Sequence, residues 1–171
     1  MKVLETERLI LRHLKSSDLD DLARIQADPL VMRFFASGVR SQEQTAADIA
    51  RCQELQIEYG YSPWATLLKE SGRFLGRCGL LPQEVGGHGE VEIAYLIAGD
   101  CWGQGLATEA ATAIRDFATR EFHLKRFVSI IHVDNFASRR VAEKIGMRRE
   151  KLIHFLDLKC WLYAVENLTI T

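Results

Sequence analysis

The short apolar run at residues 8–14 (RLILRHL) predicts a strand. Ser16, Ser17 and Asp18 then open a helix, with Ser17 and Asp20 as a capping pair and Leu19, Leu22, Ala23 and Ile25 as the apolar face. Asp28-Pro29 stops it, because the residue before proline avoids the helical region. Ser41-Gln42-Glu43-Gln44 is a capping box for a second helix reaching about Tyr59. Residues 64–70 (WATLLKE) and 73–81 (RFLGRCGLL) predict two strands joined by a turn at Ser71-Gly72, the second ended by Pro82. A further turn at residues 85–89 (VGGHG) precedes a strand at residues 90–97 (EVEIAYLI). Leu106, Ala110, Ala113, Ile114, Phe117 and Ala118 then share one face of a long helix. A strand at residues 126–133 is broken by Asp134-Asn135, and a short helix at residues 137–145 is closed by Gly146. Two last strands fill residues 147–168. With no repeat, linker or low-complexity tract, the pattern predicts one mixed α/β domain over residues 1–171. Its twisted, mostly antiparallel sheet is flanked by helices and holds a central β-α-β unit.

Composition narrows the function. The 171 residues, 47% apolar and 26% charged, fit one ordinary globular core. A formal net charge of −1 gives no global field for nucleic acid or an anionic membrane. No apolar run is long enough to span a bilayer, and MKVLETERLILRHL lacks a signal peptide's layout, so a cytoplasmic location is expected. Cys52, Cys78, Cys101 and Cys160 form no CxxC pair and read as reduced, mostly buried thiols. The five histidines show no HExxH-like spacing, so no metal site is expected.

The chemistry concentrates at DCWGQGLATEA, where a strand must turn into a helix. Gly103, Gly105 and Ala107 keep that corner free of bulk. It is then either merely a tight turn or a place where a phosphate reaches the unpaired amides of a helix N-terminus. A P-loop would need Lys and Ser or Thr after the second glycine, where Leu106-Ala107 stand. A Rossmann fingerprint needs a third small residue, and Thr108 occupies that place behind antiparallel strands. A pyrophosphate bound in another fold remains.

WGQGLATEA resembles the acyl-CoA loop of the GNAT superfamily of N-acetyltransferases, most closely the ribosomal-protein N-terminal acetyltransferase branch. The likeness covers nearly the whole chain. ETERLILRHL, RFLGRCGL, EVEIAYLIAGDCWGQGLATEA and NFASRRVAEKIGM resemble successive motifs of that branch, in its order. The resemblance implies a GNAT fold, with acetyl-CoA as co-substrate and a primary amine as acceptor. By it, the amides of Gly103, Gln104, Gly105, Leu106, Ala107 and Thr108 hold the pyrophosphate. Trp102 departs from the Arg or Gln frequent there. Tyr95, Leu96 and Ile97 line the pantetheine arm beside a splayed strand, with an amide near Leu96 facing the thioester oxygen, and Asn135 contacts the pantetheine. The partners implied are acetyl-CoA and an amine, a protein N-terminus first, with neither nucleic acid nor membrane; a homodimer is the assembly to test.

Two residues are expected to act on protons. Alternation puts Glu90, Glu92 and Ala94 on one face of the strand. By pattern alone Glu92 is a solvated carboxylate, whereas the resemblance makes it the general base. Ser138, otherwise a helix-start serine, stands near the coenzyme sulfur; the Tyr that many superfamily members use as acid is Ala142 here. Glu109 should point away from a phosphate. Arg139, Arg140, Lys144, Arg148 and Arg149 form a basic cluster, solvated or in part directed at the coenzyme's 3′-phosphate. Phe34, Phe35 and Trp64 line an acceptor pocket or pack the core. Cys101 is given no catalytic role. The rival readings are a small-molecule (polyamine or antibiotic) amine acetyltransferase, a non-catalytic acyl-CoA-binding module and a nucleotide-binding protein.

Overall fold

A computed structural model describes residues 2–166. In chain order the elements are β1 (Lys2–Glu5), β2 (Leu9–Arg12), α1 (Leu19–Gln26), α2 (Pro29–Met32), α3 (Gln42–Tyr59), β3 (Pro63–Leu68), β4 (Phe74–Val85), β5 (His88–Ile97), α4 (Leu106–Phe122), β6 (Arg126–His132), α5 (Phe136–Lys144), β7 (Arg148–Phe155) and β8 (Leu158–Glu166). The strands form one sheet in the order β1-β2-β3-β4-β5-β6-β8-β7, antiparallel except where β5 meets β6. This is the mixed, mostly antiparallel sheet that the pattern predicts, with β5-α4-β6 as its central unit. The expected last strands are β7 and β8; Asn167 and Leu168 of that reading lie outside the described residues.

Local chemistry explains most boundaries. Ser41 accepts from the Gln44 amide at 3.2 Å and Gln44 from the Ser41 amide at 2.8 Å, so the predicted capping box starts α3. Gly146 takes φ +88° just past α5. Asp28 ends α1 as expected, but it also caps the one-turn α2, with Pro29 in the first-turn position where a missing N–H costs nothing.

Two expectations need correction. The Ser17–Asp20 capping pair does not form; residues Ser16–Asp18 make a 3-10 turn. Asp18 accepts instead from the Lys15 amide at 2.8 Å and from both terminal nitrogens of Arg12 at 2.7 and 2.8 Å. Pro82 does not end β4, which runs on to Val85 opposite His88. Strand β3 begins at Pro63 opposite Gly79, and the last bond on that edge of β4 runs from the Leu80 amide to the Ser62 carbonyl at 3.2 Å, so at Pro82 the edge is unpaired and a residue without an N–H is tolerated. Strand β1 has no counterpart in the sequence reading.

The two sheet faces carry separate cores. Ile93 and Ile97 of β5 pack with Leu106, Ala110 and Ile114 of α4. Leu96 points to the opposite face, with Leu22 and Ile25 of α1 and Ile49 and Cys52 of α3. Alternation along β5 thus makes this strand the wall between two sides of the molecule.

Candidate active site

The corner after β5 is built by backbone conformation. Gly103 and Gly105 take φ +74° and +78°, the left-handed region that L side chains rarely adopt. Gly105 is the N-cap of α4 and supplies no side-chain cap, so the first-turn amides are left without a side-chain acceptor. Residues 102–105 are exposed. Glu109 turns away, as expected. Its carboxylate accepts from Thr6 Oγ1 at 2.5 Å, Arg8 N at 2.9 Å and Arg8 Nε at 2.7 Å. Arg8 also donates to the Gln104 carbonyl at 2.9 Å, so the β1–β2 turn braces the loop from behind. Sequence reading missed this brace, which joins residues about a hundred positions apart.

Strands β5 and β6 are paired at a single register position, Glu92 with Val128. Beyond it they part. The Ile130 amide, released by the fork, donates to Glu92 Oε1 at 3.2 Å, and Ser129 Oγ donates to the Ile93 carbonyl at 2.8 Å. Gln83, diagonal to Glu92 across the β4–β5 ladder, donates to Glu92 Oε2 at 2.7 Å. Burial raises the Glu92 pKa above the usual carboxylate range, and these two donors with Arg77 only partly oppose it. Glu90 is differently placed, in an ion pair with Arg126 at 3.0 Å, and Arg126 is shared with Glu150 and Glu166.

The backbone direction along β5 specifies which amides near Leu96 face the gap. The Ala98 amide donates to the Leu75 carbonyl on the β4 side, while the Ile93 carbonyl faces β6. The β4–β5 register is unbroken, so alternation turns the Leu96 amide toward β4 and those of Tyr95 and Ile97 toward the gap. The Ile97 carbonyl accepts from the Trp102 indole at 2.8 Å. Trp102 therefore holds the loop against the strand end, a role with no signal in the sequence.

Helix α5 closes the far side of the gap. Asn135 Oδ1 accepts from the Ser138 amide at 3.2 Å, capping the helix. The cap is thus Asn135 and not Ser138. Tyr95 donates to the Ser138 carbonyl at 2.9 Å, and burial above all raises the phenol's pKa. Two cavities meet here, sharing Phe34, Phe35, Tyr95, Leu96, Asn135 and Ser138. One, of about 620 Å³, runs past Ile97, Trp102, Gly103, Gly105 and Ala107 to Arg140 and Lys144. The other, of about 350 Å³, contains Glu92, His132 and residues of α3.

The remaining candidates separate clearly. Trp64 is core, fully buried with its indole donating to Gln56 at 2.9 Å, whereas Phe34 and Phe35 line both cavities. His132, not singled out by sequence, stacks on Phe34 at 5.1 Å. Of the basic cluster, Arg140 and Lys144 reach the larger cavity, while Arg139 bonds Tyr163 and Arg149 lies over Trp161. All four cysteines are free and buried.

A strand-to-helix corner with free amides stands next to a forked sheet, an arrangement open to an extended ligand with an anionic group. Residues 8–148 match the acetyltransferase (GNAT) domain family, and the chain belongs to that family. It is an acetyl-CoA-dependent N-acetyltransferase. It is similar to YkkB of Bacillus subtilis, 38% identical over 151 residues, covering 88% of this chain and 87% of that protein. An acetyltransferase structure from Agrobacterium tumefaciens has a TM-score of 0.82 at 27% identity, over 95% of this chain and 93% of that one. RimL, a ribosomal-protein α-N-acetyltransferase solved in complex with coenzyme A, shares the fold with a TM-score of 0.81 at 20% identity, over 97% and 98% of the two chains. Among the described residues, no helix is long and apolar enough to cross a membrane.

Proposed function

We propose that the larger cavity receives acetyl-CoA, the smaller one the acceptor amine, and that Glu92 is the base between them. The observation that carries this reading is the meeting of the two cavities at Tyr95, Leu96, Asn135 and Ser138, with Glu92 on the acceptor side. The residues fit the coenzyme. The amides of residues 103–108 at an uncapped helix start suit a pyrophosphate. The amides of Tyr95 and Ile97 face an opened sheet edge, and Arg140 with Lys144 offers charge for the 3′-phosphate. When bound, the coenzyme supplies an activated acetyl thioester.

An amine attacks only when neutral, yet α-amines have pKa values of about 7.7–8.0 and lysine-like amines about 10.4. Glu92 takes the proton, directly or through a water, and its raised pKa brings it toward a useful base. The gap-facing amide of Ile97 or Tyr95 supplies the hydrogen bond to the acetyl carbonyl oxygen. Ser138, where the two cavities meet, donates to or holds the leaving sulfur. A peptide α-amine is the first acceptor class, supported by the fold shared with RimL, with small polyamines or antibiotic amines second. The test is acetyl-CoA consumption over short peptides, polyamines and aminoglycosides. Transfer to at least one amine with release of free thiol is expected. Tight coenzyme binding with no turnover on any amine would leave a non-catalytic binding module.

A further inference from the structure

The acceptor cavity has charge at both ends. Glu92 marks one. The other is formed by Arg40 before α3, Asp48 and Arg51 on α3, and Arg77 on β4. Asp48 is already engaged, pairing with Arg77 Nη2 at 3.1 Å and accepting from Gln26 Nε2 at 2.8 Å. It is the single carboxylate lining this end, against three guanidiniums. Arg51 sits at the mouth and pairs outward with Glu54 at 3.3 Å. The Nε atoms of Arg40 and Arg77 are buried with no hydrogen-bond partner among the described residues. Buried donors on charged groups are costly to leave unpaired, so this end is short of an anionic acceptor of hydrogen bonds. The Cys52 thiol lies among these groups, 4.0 Å from Arg77 Nη1. It cannot supply the missing charge: burial pushes its pKa up to about 11 despite Arg77, Arg51 and Arg40.

Resting on the acetyltransferase reading, we propose that this arginine end binds an anionic group of the acceptor, a carboxylate or a phosphate. The acceptor is therefore an amine that also carries a negative charge, and not a polyamine or an aminoglycoside. Geometry sets the separation. Arg77 is registered with Leu96 and Leu81 with Glu92, so Arg77 and Glu92 share a sheet face four residues apart. At ~3.3 Å per residue their Cα atoms lie roughly 13 Å apart along the strands. Such a span suits an anion several bonds from the amine, such as an acidic second residue of a peptide or the carboxylate of an ω-amino acid.

The test uses matched acceptors with the full-length protein. Ala-Glu-Ala amide is compared with Ala-Gln-Ala amide, 6-aminohexanoate with its amide, and Ala-phosphoserine-Ala amide with Ala-Ser-Ala amide. The carboxylate and phosphate arms tell which anion is taken. The anionic member of at least one pair should show kcat/KM higher by at least about tenfold, the scale of one charge-assisted hydrogen bond. Arg40→Gln should abolish that preference through a raised KM for the anionic member of each pair, with coenzyme affinity unchanged. Calorimetric titration of the N-acetylated peptides into wild-type protein reads the same preference without turnover. It therefore separates a failed acetyltransferase reading from a failed anion site, and also decides if Arg40→Gln does not fold. Equal use and equal affinity within every pair, or a preference for spermidine, would overturn the proposal.

Discussion

Glu92 is half-buried and held by two donors, yet its pKa is raised by desolvation, and this conflict yields a stability prediction. A carboxyl whose folded pKa is raised stabilises the fold fully below its unfolded value, near 4.3, and loses that contribution as pH rises through the folded value. Glu92→Gln keeps an oxygen for the Ile130 amide and removes the desolvated charge. Its melting temperature should exceed that of wild type at pH 7, with the gain gone by pH 4; a loss at pH 7 would show that the ionised form is favoured in the fold. Asp18 is the opposite case. Burial raises its pKa, but Arg12 and the Lys15 amide outweigh it and the net shift is downward. Its contribution is present above the ordinary carboxylate range and fades as pH falls through the lowered value. With the pair largely buried, Asp18→Ala strands Arg12 and should cost about 3 kcal/mol in urea unfolding at pH 7. A change under about 0.5 kcal/mol would reduce it to an ordinary surface pair. Alternation gave the strand face of Glu92 but read it as a solvated carboxylate; its hydrogen bond to Gln83 was not legible, because a diagonal neighbour is known only once the β4–β5 register is fixed.

At the scale of elements, the loop from Trp102 to α4 has no side-chain cap and is braced from behind by Arg8 and Glu109. Ala107→Glu puts bulk and negative charge among the amides proposed for the pyrophosphate. Coenzyme affinity measured by calorimetry should fall more than tenfold, about 1.4 kcal/mol or more. Unchanged affinity in a folded variant would remove the loop from the binding site. The elements themselves were mostly legible, since capping boxes, alternation and glycine stops act locally. The failures have a common cause. The continuation of β4 through Pro82 depends on where β3 begins, and Asp18 joins a local bond from the Lys15 amide to a partner on β2 that local pattern does not show. The direction of the Leu96 amide was likewise hidden, because periodicity gives the side-chain face and not which neighbour a backbone group addresses.

For the whole molecule, the proposed acyl and acceptor cavities meet along β5 at Tyr95 and Leu96 and across it at Asn135 and Ser138. A ligand bridging β5, α4 and α5 binds only the folded chain. At a hundred times its dissociation constant, acetyl-CoA should add about 2.7 kcal/mol of stability. For a chain of this size that is a rise of roughly 5–10 °C in melting temperature by differential scanning fluorimetry. ATP or NAD at equal concentration should not reproduce it; equal shifts would favour a general nucleotide site.

The central claim is that Glu92 takes the proton from the acceptor amine, and the pH dependence of kcat tests it most directly. Wild type, Glu92→Gln and Glu90→Gln are compared on one peptide acceptor. Glu90 shares the face of Glu92 but is committed to Arg126, so it serves as an internal control. Glu92→Gln should lower kcat by roughly 10²–10⁴-fold at pH 7, with the residual rate climbing as more amine becomes neutral unaided. Glu90→Gln should keep the wild-type profile, whose acid limb reports the raised pKa of Glu92. If the two variants behave alike, or if Glu92→Gln retains the wild-type profile, then Glu92 only caps the Ile130 amide at the fork and the base lies elsewhere.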